Sequence, residues 1–283
     1  MRLVSYNIQY GIGRDGKFDM ARIAGSVRDA DVIALQEVTR GLDRNGGADL
    51  VAQICDLLPG YFPAYAASVD VDAGSGIVDG RVVSRRLQFG NMVLSRWPIL
   101  ATRNLLLPRS RSFDRGNFQR AALEALIVTP LGPIRFYSVH LDHLHHEERL
   151  RQIRHLKERV LAYPLEGGAI TGAAEYGYPE PPHPEEFVLL GDFNMTPDSP
   201  EYELMAGGTD YAMGRLTVAH HPVDASRFDD GETVSWIDGA HPEKRSRLDY
   251  CFVSAGLAPH VRKAWIDSDA PGSDHQPVWV EMA

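Results

Sequence analysis

The chain is patterned as short apolar runs, many of which stop on a polar side chain. Alternating faces mark a strand, and a repeat of three to four residues marks a helix. By that test Arg2–Ile8, Asp31–Glu37, Tyr61–Ala67, Leu87–Leu94 and Ile99–Leu106 read as strands. So do Phe118–Val128, Pro133–Leu141, Phe187–Leu190, Leu248–Val253, Val261–Ile266 and Pro277–Glu281. Helices are predicted at Met20–Arg28, capped by Asp19, at Ala48–Leu58, and briefly at Pro200–Met205. Glu147–Leu161 is the clearest helix, with Leu150, Ile153, Leu156, Val160 and Leu161 on one face.

The connections are also legible. The turn Arg96–Pro98 is expected to pair Leu87–Leu94 with Ile99–Leu106, and Thr129–Gly132 to close a second hairpin. Val69–Arg86, rich in Gly, Asp and Val, reads as a loop or flexible hairpin, and Arg109–Asn117 as an exposed basic loop. Tyr163–Glu186 is an insertion rich in Pro, Gly, Ala and Glu, and Ala206–Arg245 is irregular. Strands that follow one another without intervening helices argue against a doubly wound sheet. They favour an α/β sandwich of two face-to-face sheets with helices outside, in a single domain over 1–283.

Composition narrows this little. At 283 residues and 44% hydrophobic content, the chain can bury a large core. Cys55 and Cys251 sit in apolar contexts and read as two buried free thiols, which fits a reducing, cytoplasmic setting; a monomer is expected. No transmembrane run and no signal peptide are seen. The net charge of −9 counts against tight, nonspecific nucleic-acid binding. The cluster Arg103, Arg109, Arg111, Arg115 and Arg120 keeps a nucleic-acid partner open.

Candidate chemistry lies at the strand ends. Leu3, Ser5 and Asn7 are expected to share a face, as are Ile33, Leu35 and Glu37, then Phe136, Ser138 and His140, then Leu190, Asp192 and Asn194. Asp249 opens a strand near the C-terminus, and Asp274 and His275 precede the last one. Singly, each has an ordinary reading: a turn residue, a surface pair with Arg40 for Glu37, a core histidine for His140. Together they are four carboxylates, two amides and two histidines at strand ends. If they converge, like-charge repulsion demands a cation or a proton. Hard oxygen donors with few His and no Cys favour Mg²⁺ or Mn²⁺ over Zn²⁺.

Other features carry less. His143, His145 and His146 read as a solvated helix start, and Trp236 as core. Gly11–Gly16 lacks the Lys-Ser/Thr of a phosphate loop and reads as a rim.

The motifs SYNIQYG, ALQEV, SVHLDH, LLGDFNMTP, RLDY and SDHQPV, in that order from Leu3 to Val280, resemble those of the endonuclease/exonuclease/phosphatase superfamily. That group includes deoxyribonuclease I, apurinic endonucleases, neutral sphingomyelinases and inositol polyphosphate phosphatases. The resemblance implies a four-layer αββα sandwich and a Mg²⁺- or Mn²⁺-dependent hydrolase of phosphoric esters. It implies that Glu37 is the main metal ligand, supported by Asn7, with Asp274 a ligand or a His-orienting acid. Asp192 would orient or deprotonate water, and Asn194 would bind the phosphate. His275, oriented by Asp249, would act as general base or charged stabiliser. His140 departs from the tyrosine of apurinic endonucleases, which tilts away from abasic-site repair. Arg120 is a candidate phosphate contact, with a surface arginine on a strand edge as the alternative. A phosphodiesterase is the leading expectation. A nuclease, a sphingomyelinase-like lipid phosphodiesterase and a non-catalytic binding module of the same fold are alternatives. The insertion Tyr163–Glu186, with Glu166, Glu175, Glu180, Glu185 and Glu186, and the segment Ala206–Arg245 are expected to rim the site and disfavour duplex DNA.

Overall fold

The computed structural model describes residues 1–208, 220–226 and 233–283. Its first sheet has six strands, β1 (Arg2–Asn7), β2 (Val32–Arg40), β3 (Phe62–Asp72), β6 (Arg86–Ser95), β15 (Val261–Ile266) and β16 (Val278–Met282). They lie in the order β15-β16-β1-β2-β6-β3. Between β3 and β6, β4 (Gly76–Val78) and β5 (Arg81–Val83) form a separate two-stranded hairpin. The second sheet has β7 (Ile99–Leu106), β8 (Ala121–Thr129), β9 (Gly132–His140), β10 (Phe187–Asp192), β11 (Val223–Asp224) and β14 (Asp249–Val253). Its order is β11-β14-β10-β9-β8-β7, and β12 (Trp236–Ile237) pairs with β13 (Arg245–Ser246) apart from it.

Three apolar clusters show the layers. Leu3, Ala34 and Val93 of the first sheet meet Leu123, Phe136, Leu190 and Cys251 of the second. Tyr6, Ile33 and Leu35, on the other face of the first sheet, pack on α1 (Met20–Val27) and α2 (Leu50–Leu57) through Ile23, Val27, Leu50 and Ile54. Tyr137, Leu189 and Phe252, on the other face of the second, pack on α3 (His146–Leu161) and α5 (Pro200–Ala206) through Ile153, Leu156 and Met205. A four-residue turn, α4 (Tyr163–Glu166), follows α3. The result is the expected four-layer αββα sandwich. Among the described residues no helix is long and apolar enough to cross a membrane.

The elements form for local reasons. Asp19 caps α1 by accepting from Ala21 and Arg22 N–H, and Ser199 caps α5 by accepting from Tyr202 N–H. β9 and β10 run parallel with Leu190 beside Ser138 and Asp192 beside His140, so their polar ends align. Gly191 allows that pairing, because a Cβ there would collide with the Val139 carbonyl.

Four expectations change. β6 and β7 are not paired: β6 lies between β2 and β3, and β7 pairs with β8, so Arg96–Pro98 carries the chain from one sheet to the other. Both strands have one edge-compatible pattern, and nothing local distinguishes a hairpin from a crossover. Val69–Arg86 is more regular than a loop, since the β3–β6 ladder continues to Asp72 and Arg86 before the small hairpin. Cys251 is buried, but Cys55 is only half-buried; both are free. Finally, the insertion enters β10 at Phe187, the end of the strand opposite Asp192. Tyr163 is buried there against the guanidinium groups of Arg135 and Arg103.

Candidate active site

Strand alternation delivers most of the polar groups. Leu3, Phe136, Leu190 and Cys251 lie in the layer between the sheets. Asn7, His140, Asp192 and Asp249 share the alternation of those residues, so they project into the same layer at its open end. Glu37 gets there differently. Ile33 and Leu35 face the helices, and Val38 does too. Plain alternation would have sent Glu37 to the helix side with them. Instead the β2–β6 ladder shifts between Leu35 and Val38, so that Gln36 and Glu37 stand opposite Asn91. Glu37 takes a left-handed backbone, φ 61°. This bulge re-aims the carboxylate, a familiar use of bulges beside active sites. Tyr10 (φ 53°) and Asn194 (φ 50°) are also left-handed and also line the site, so three non-glycine residues there hold an uncommon conformation.

The groups meet across the sheets. Asn7 Nδ2 donates to Asp192 Oδ2 at 3.0 Å and to Glu37 Oε1 at 3.3 Å. His140 Nε2 lies 3.5 Å from Asp192 Oδ2 and 3.9 Å from Glu37 Oε1. His275 Nδ1 is 2.8 Å from Asp249 Oδ2, which also accepts from the Ser235 hydroxyl at 2.7 Å, and His275 Nε2 is 3.7 Å from Asp192 Oδ2. Asn194 donates its backbone N–H to Asp192 Oδ1 at 2.9 Å and its side chain to the Leu141 carbonyl. Asp274 accepts from Trp236 Nε1 at 3.2 Å.

Arg120 is not a surface residue. It is 4% exposed, and its guanidinium reaches His140 Nε2 at 2.8 Å and His143 Nδ1 at 2.7 Å. An arginine can only donate, so the ring nitrogens it meets are unprotonated. His143, expected in a solvated turn, lines the cavity, as does half-buried Trp236, expected in the core. The cavity is about 680 Å³ and adds Tyr10, Phe89, Phe118, Arg149 and Leu248 to the predicted residues. Phe89 packs edge-on to Phe118, ring centroids 5.2 Å apart, and Tyr10 completes that wall. No described residue of the insertion or of Gly11–Gly16 lines the cavity; of the segment Ala206–Arg245, Trp236 does.

Electrostatics divide the groups by role. Burial pushes the Glu37 carboxyl up to about 7, against Arg120 and His275, with Asp274 and Asp192 adding to the rise. Burial also raises Asp192. Burial opposes the charged form of His275, but Asp249 and Asp192 outweigh it and hold the imidazole up to about 10. His140 is driven well below the usual range by burial and by Arg120, and is therefore neutral.

The donors fit a hard divalent cation. Glu37 Oε2 is buried without a partner, and the two carboxylates nearest it raise its pKa, the condition a cation relieves. Asp192, Asp249 and His275 also offer atoms within 4.8 Å of one another. That triad is a poorer candidate, because His275 Nδ1 and Asp249 Oδ2 already bond to each other.

The profile of the Endonuclease/Exonuclease/phosphatase family matches residues 4–275. The chain belongs to that family. Members hydrolyse phosphoester bonds, and this protein is an enzyme of that class. Solved structures agree in fold. An endonuclease/exonuclease/phosphatase from Beutenbergia cavernae is 21% identical with a TM-score of 0.66, covering all of this chain (100%) and 72% of that one. A mannosyl-6-phosphatase from Bacteroides thetaiotaomicron is 18% identical, TM-score 0.64, covering 100% and 99%. A 3′ phosphatase from Neisseria, bound to product DNA hairpin, is 16% identical, TM-score 0.58, covering 100% and 99%. No curated protein matches the chain in sequence. The family's αββα sandwich is the one described above.

Proposed function

We propose that this protein is a Mg²⁺- or Mn²⁺-dependent phosphodiesterase that works by in-line attack of an activated water. The observation that carries the reading is the convergence of Glu37, Asn7 and Asp192 with the His275–Asp249 pair at one end of the inter-sheet layer. A phosphodiester repels nucleophiles by its own charge. Glu37, with Asn7 and Asp274 beside it, would hold the cation, which supplies charge neutralisation at a non-bridging oxygen and at the leaving group.

The protein's own groups then divide the work. Asp192 is the base: its pKa is raised, and Asn7 and the Asn194 N–H fix both its oxygens. His275 is the charged stabiliser, since Asp249 and Asp192 keep it protonated through neutral pH. The Asn194 amide adds a donor at the phosphate, while neutral His140 accepts from Arg120. Arg120 holds the His140 ring and brings a positive charge to the same wall. The serine–histidine arrangement of an acyl-enzyme is not used, because Ser235 donates to Asp249 rather than to His275.

Aromatic rings line the cavity beside its charged groups, and with the net charge of −9 this supports a small or single-chain substrate over duplex DNA. Purified protein is expected to hydrolyse bis(nitrophenyl) phosphate with added Mn²⁺. Activity that persists undiminished in EDTA would sink the metal-dependent reading.

A further inference from the structure

The cavity is lined by both signs of charge, Glu37, Asp192 and Asp274 with Arg120, His143 and Arg149. The basic set exceeds what a single scissile phosphate requires. Arg120, bonded to His140 close to Asp192, already serves that position. Arg149 belongs to the start of α3, and His143 to the turn that joins β9 to it.

Arg149 is held in place with unusual care. Its Nε donates to Glu201 Oε1 at 2.9 Å, and a second nitrogen lies 2.9 Å from the same oxygen. Glu201, at the start of α5, is 1% exposed and is also met by His146 Nδ1 at 2.8 Å. Asp142 steadies the neighbouring turn by accepting from Leu144 and His145 N–H, and its carbonyl takes Arg149 NH1 at 3.3 Å. A guanidinium needs no such frame to sit on a surface. The frame fixes the plane of a guanidinium that lines the cavity. His143 supplies a matching donor. Its Nδ1 accepts from Arg120, so its Nε2 carries the proton. The cavity, about 680 Å³, falls within the 300–1,000 Å³ range of pockets that bury a whole drug-sized ligand, far more than one phosphate.

We propose that Arg149, with His143, forms an anion subsite beside the catalytic centre that takes a second phosphate carried by the same substrate. The inference rests on the phosphodiesterase reading for the position of the first phosphate. The substrate class it names is a phosphoester with an additional phosphate on the same small molecule, on a nucleoside or on a sugar. Glu201 is a positioning residue: it touches no substrate and orients Arg149. The aromatic wall of Tyr10, Phe89 and Phe118 gives a nucleoside base a face to stack on, which a sugar lacks.

The test is direct binding, measured by isothermal titration calorimetry with no metal added, so that nothing is turned over. Thymidine 3′,5′-bisphosphate is compared with thymidine 5′-monophosphate, and glucose 1,6-bisphosphate with glucose 6-phosphate. Wild type is expected to prefer a bisphosphate by about tenfold or more, as befits one bidentate arginine contact. Arg149→Met is expected to erase that preference. Because Arg149→Met strands the buried Glu201 carboxylate, the double variant R149M/E201Q is measured beside it, with circular dichroism to verify folding. Arg149→Lys, which keeps the charge but loses the planar fork, is expected to recover part of the preference. A preference shown by the thymidine pair alone identifies a nucleotide substrate, and one shown by both pairs identifies the phosphate spacing as the recognised feature. Equal binding of mono- and bisphosphates by wild type would overturn the subsite. So would a folded R149M/E201Q protein that keeps the full preference. Loss of hydrolysis of bis(nitrophenyl) phosphate, by contrast, bears on the phosphodiesterase reading and not on this binding ratio.

Discussion

Asn7 of the first sheet donates to Asp192 of the second at 3.0 Å, and this bond spans the two sheets at the point where the site opens. Asn7 is 1% exposed, and its own Oδ1 accepts from Gln9 N–H. Asn7→Ala therefore strands a buried carboxylate oxygen and a turn N–H together. The expected cost is about 1–3 kcal/mol in urea unfolding, with at least a tenfold fall in diester hydrolysis. An Asn7→Ala protein as active as wild type would remove this residue from the site.

The His275–Asp249 pair makes a prediction about pH. The folded-state pKa of His275 stands at about 10 against an ordinary 6.5, so its stabilising effect is complete below 6.5 and is lost as pH rises through about 10. Asp249→Asn removes the largest of the charges that raise it. Titration of the ring by NMR in metal-free protein is expected to show His275 high in wild type and lowered in the variant. The stability gap between the two proteins is expected to close across that same window. A wild-type His275 that titrates like a free imidazole contradicts the assignment of His275 as a cation.

Glu37 behaves in the opposite functional sense with the same sign. Its folded pKa is raised from 4.5 to about 7, so without metal the protein is favoured below 4.5 and loses that advantage as pH rises through about 7. Since 15% of the side chain remains open to solvent, the loss is expected to be about 2 kcal/mol rather than the full value of the shift. Glu37→Gln is expected to be more stable than wild type at pH 8 and nearly equal to it at pH 4, read from thermal unfolding in EDTA. Equal stability of the two proteins at pH 8 would show that Glu37 carries no burial strain.

No described residue of the insertion lines the cavity, so its truncation is expected to act on folding rather than on substrate choice. Tyr163 is buried against Arg135, whose NH1 donates to the Val160 carbonyl at the far end of β9. Tyr163→Ala is expected to cost about 3 kcal/mol, as for other large aromatic truncations. The ratio of duplex DNA cleavage to small-diester cleavage is expected to stay the same. A changed ratio would restore the gating role that the acidic composition of the insertion suggested.

Much of the site was legible because it follows alternation. Asn7, His140, Asp192 and Asp249 lie where a period of two puts them, and parallel pairing of β9 with β10 aligns His140 and Asp192. Glu37 was placed at the right site for a wrong reason, since the bulge that turns it is invisible to a period-two reading. Arg120 read equally as a phosphate contact or a surface arginine, because the polar stretch before it, Arg109–Asn117, gave no sign that the following residues turn inward. Arg149, and the cavity-lining position of exposed His143, were missed because they come from a helix start and a turn, whose direction tertiary packing decides; Trp236, on the short strand β12, was read as core but is half-buried at the cavity. The sheet membership of β6 and β7 was hidden for a related reason. A three-residue connection fits a hairpin and a step between sheets equally well.

The central claim is that a cation held at Glu37 and a base at Asp192 act together on a phosphodiester, and the metal dependence of two variants tests it most directly. Hydrolysis of bis(nitrophenyl) phosphate is followed against Mn²⁺ concentration, and Mn²⁺ binding is followed by calorimetry, for wild type, Glu37→Gln and Asp192→Asn. Wild type is expected to be inactive in EDTA and to saturate with Mn²⁺. Glu37→Gln is expected to need at least about tenfold more Mn²⁺, as for the loss of a ligand or of its close support. Asp192→Asn is expected to bind Mn²⁺ within a few-fold of wild type and to lose turnover by about a hundredfold or more. Wild-type hydrolysis that continues undiminished in EDTA, or a Glu37→Gln protein with an unchanged Mn²⁺ midpoint, would contradict the account.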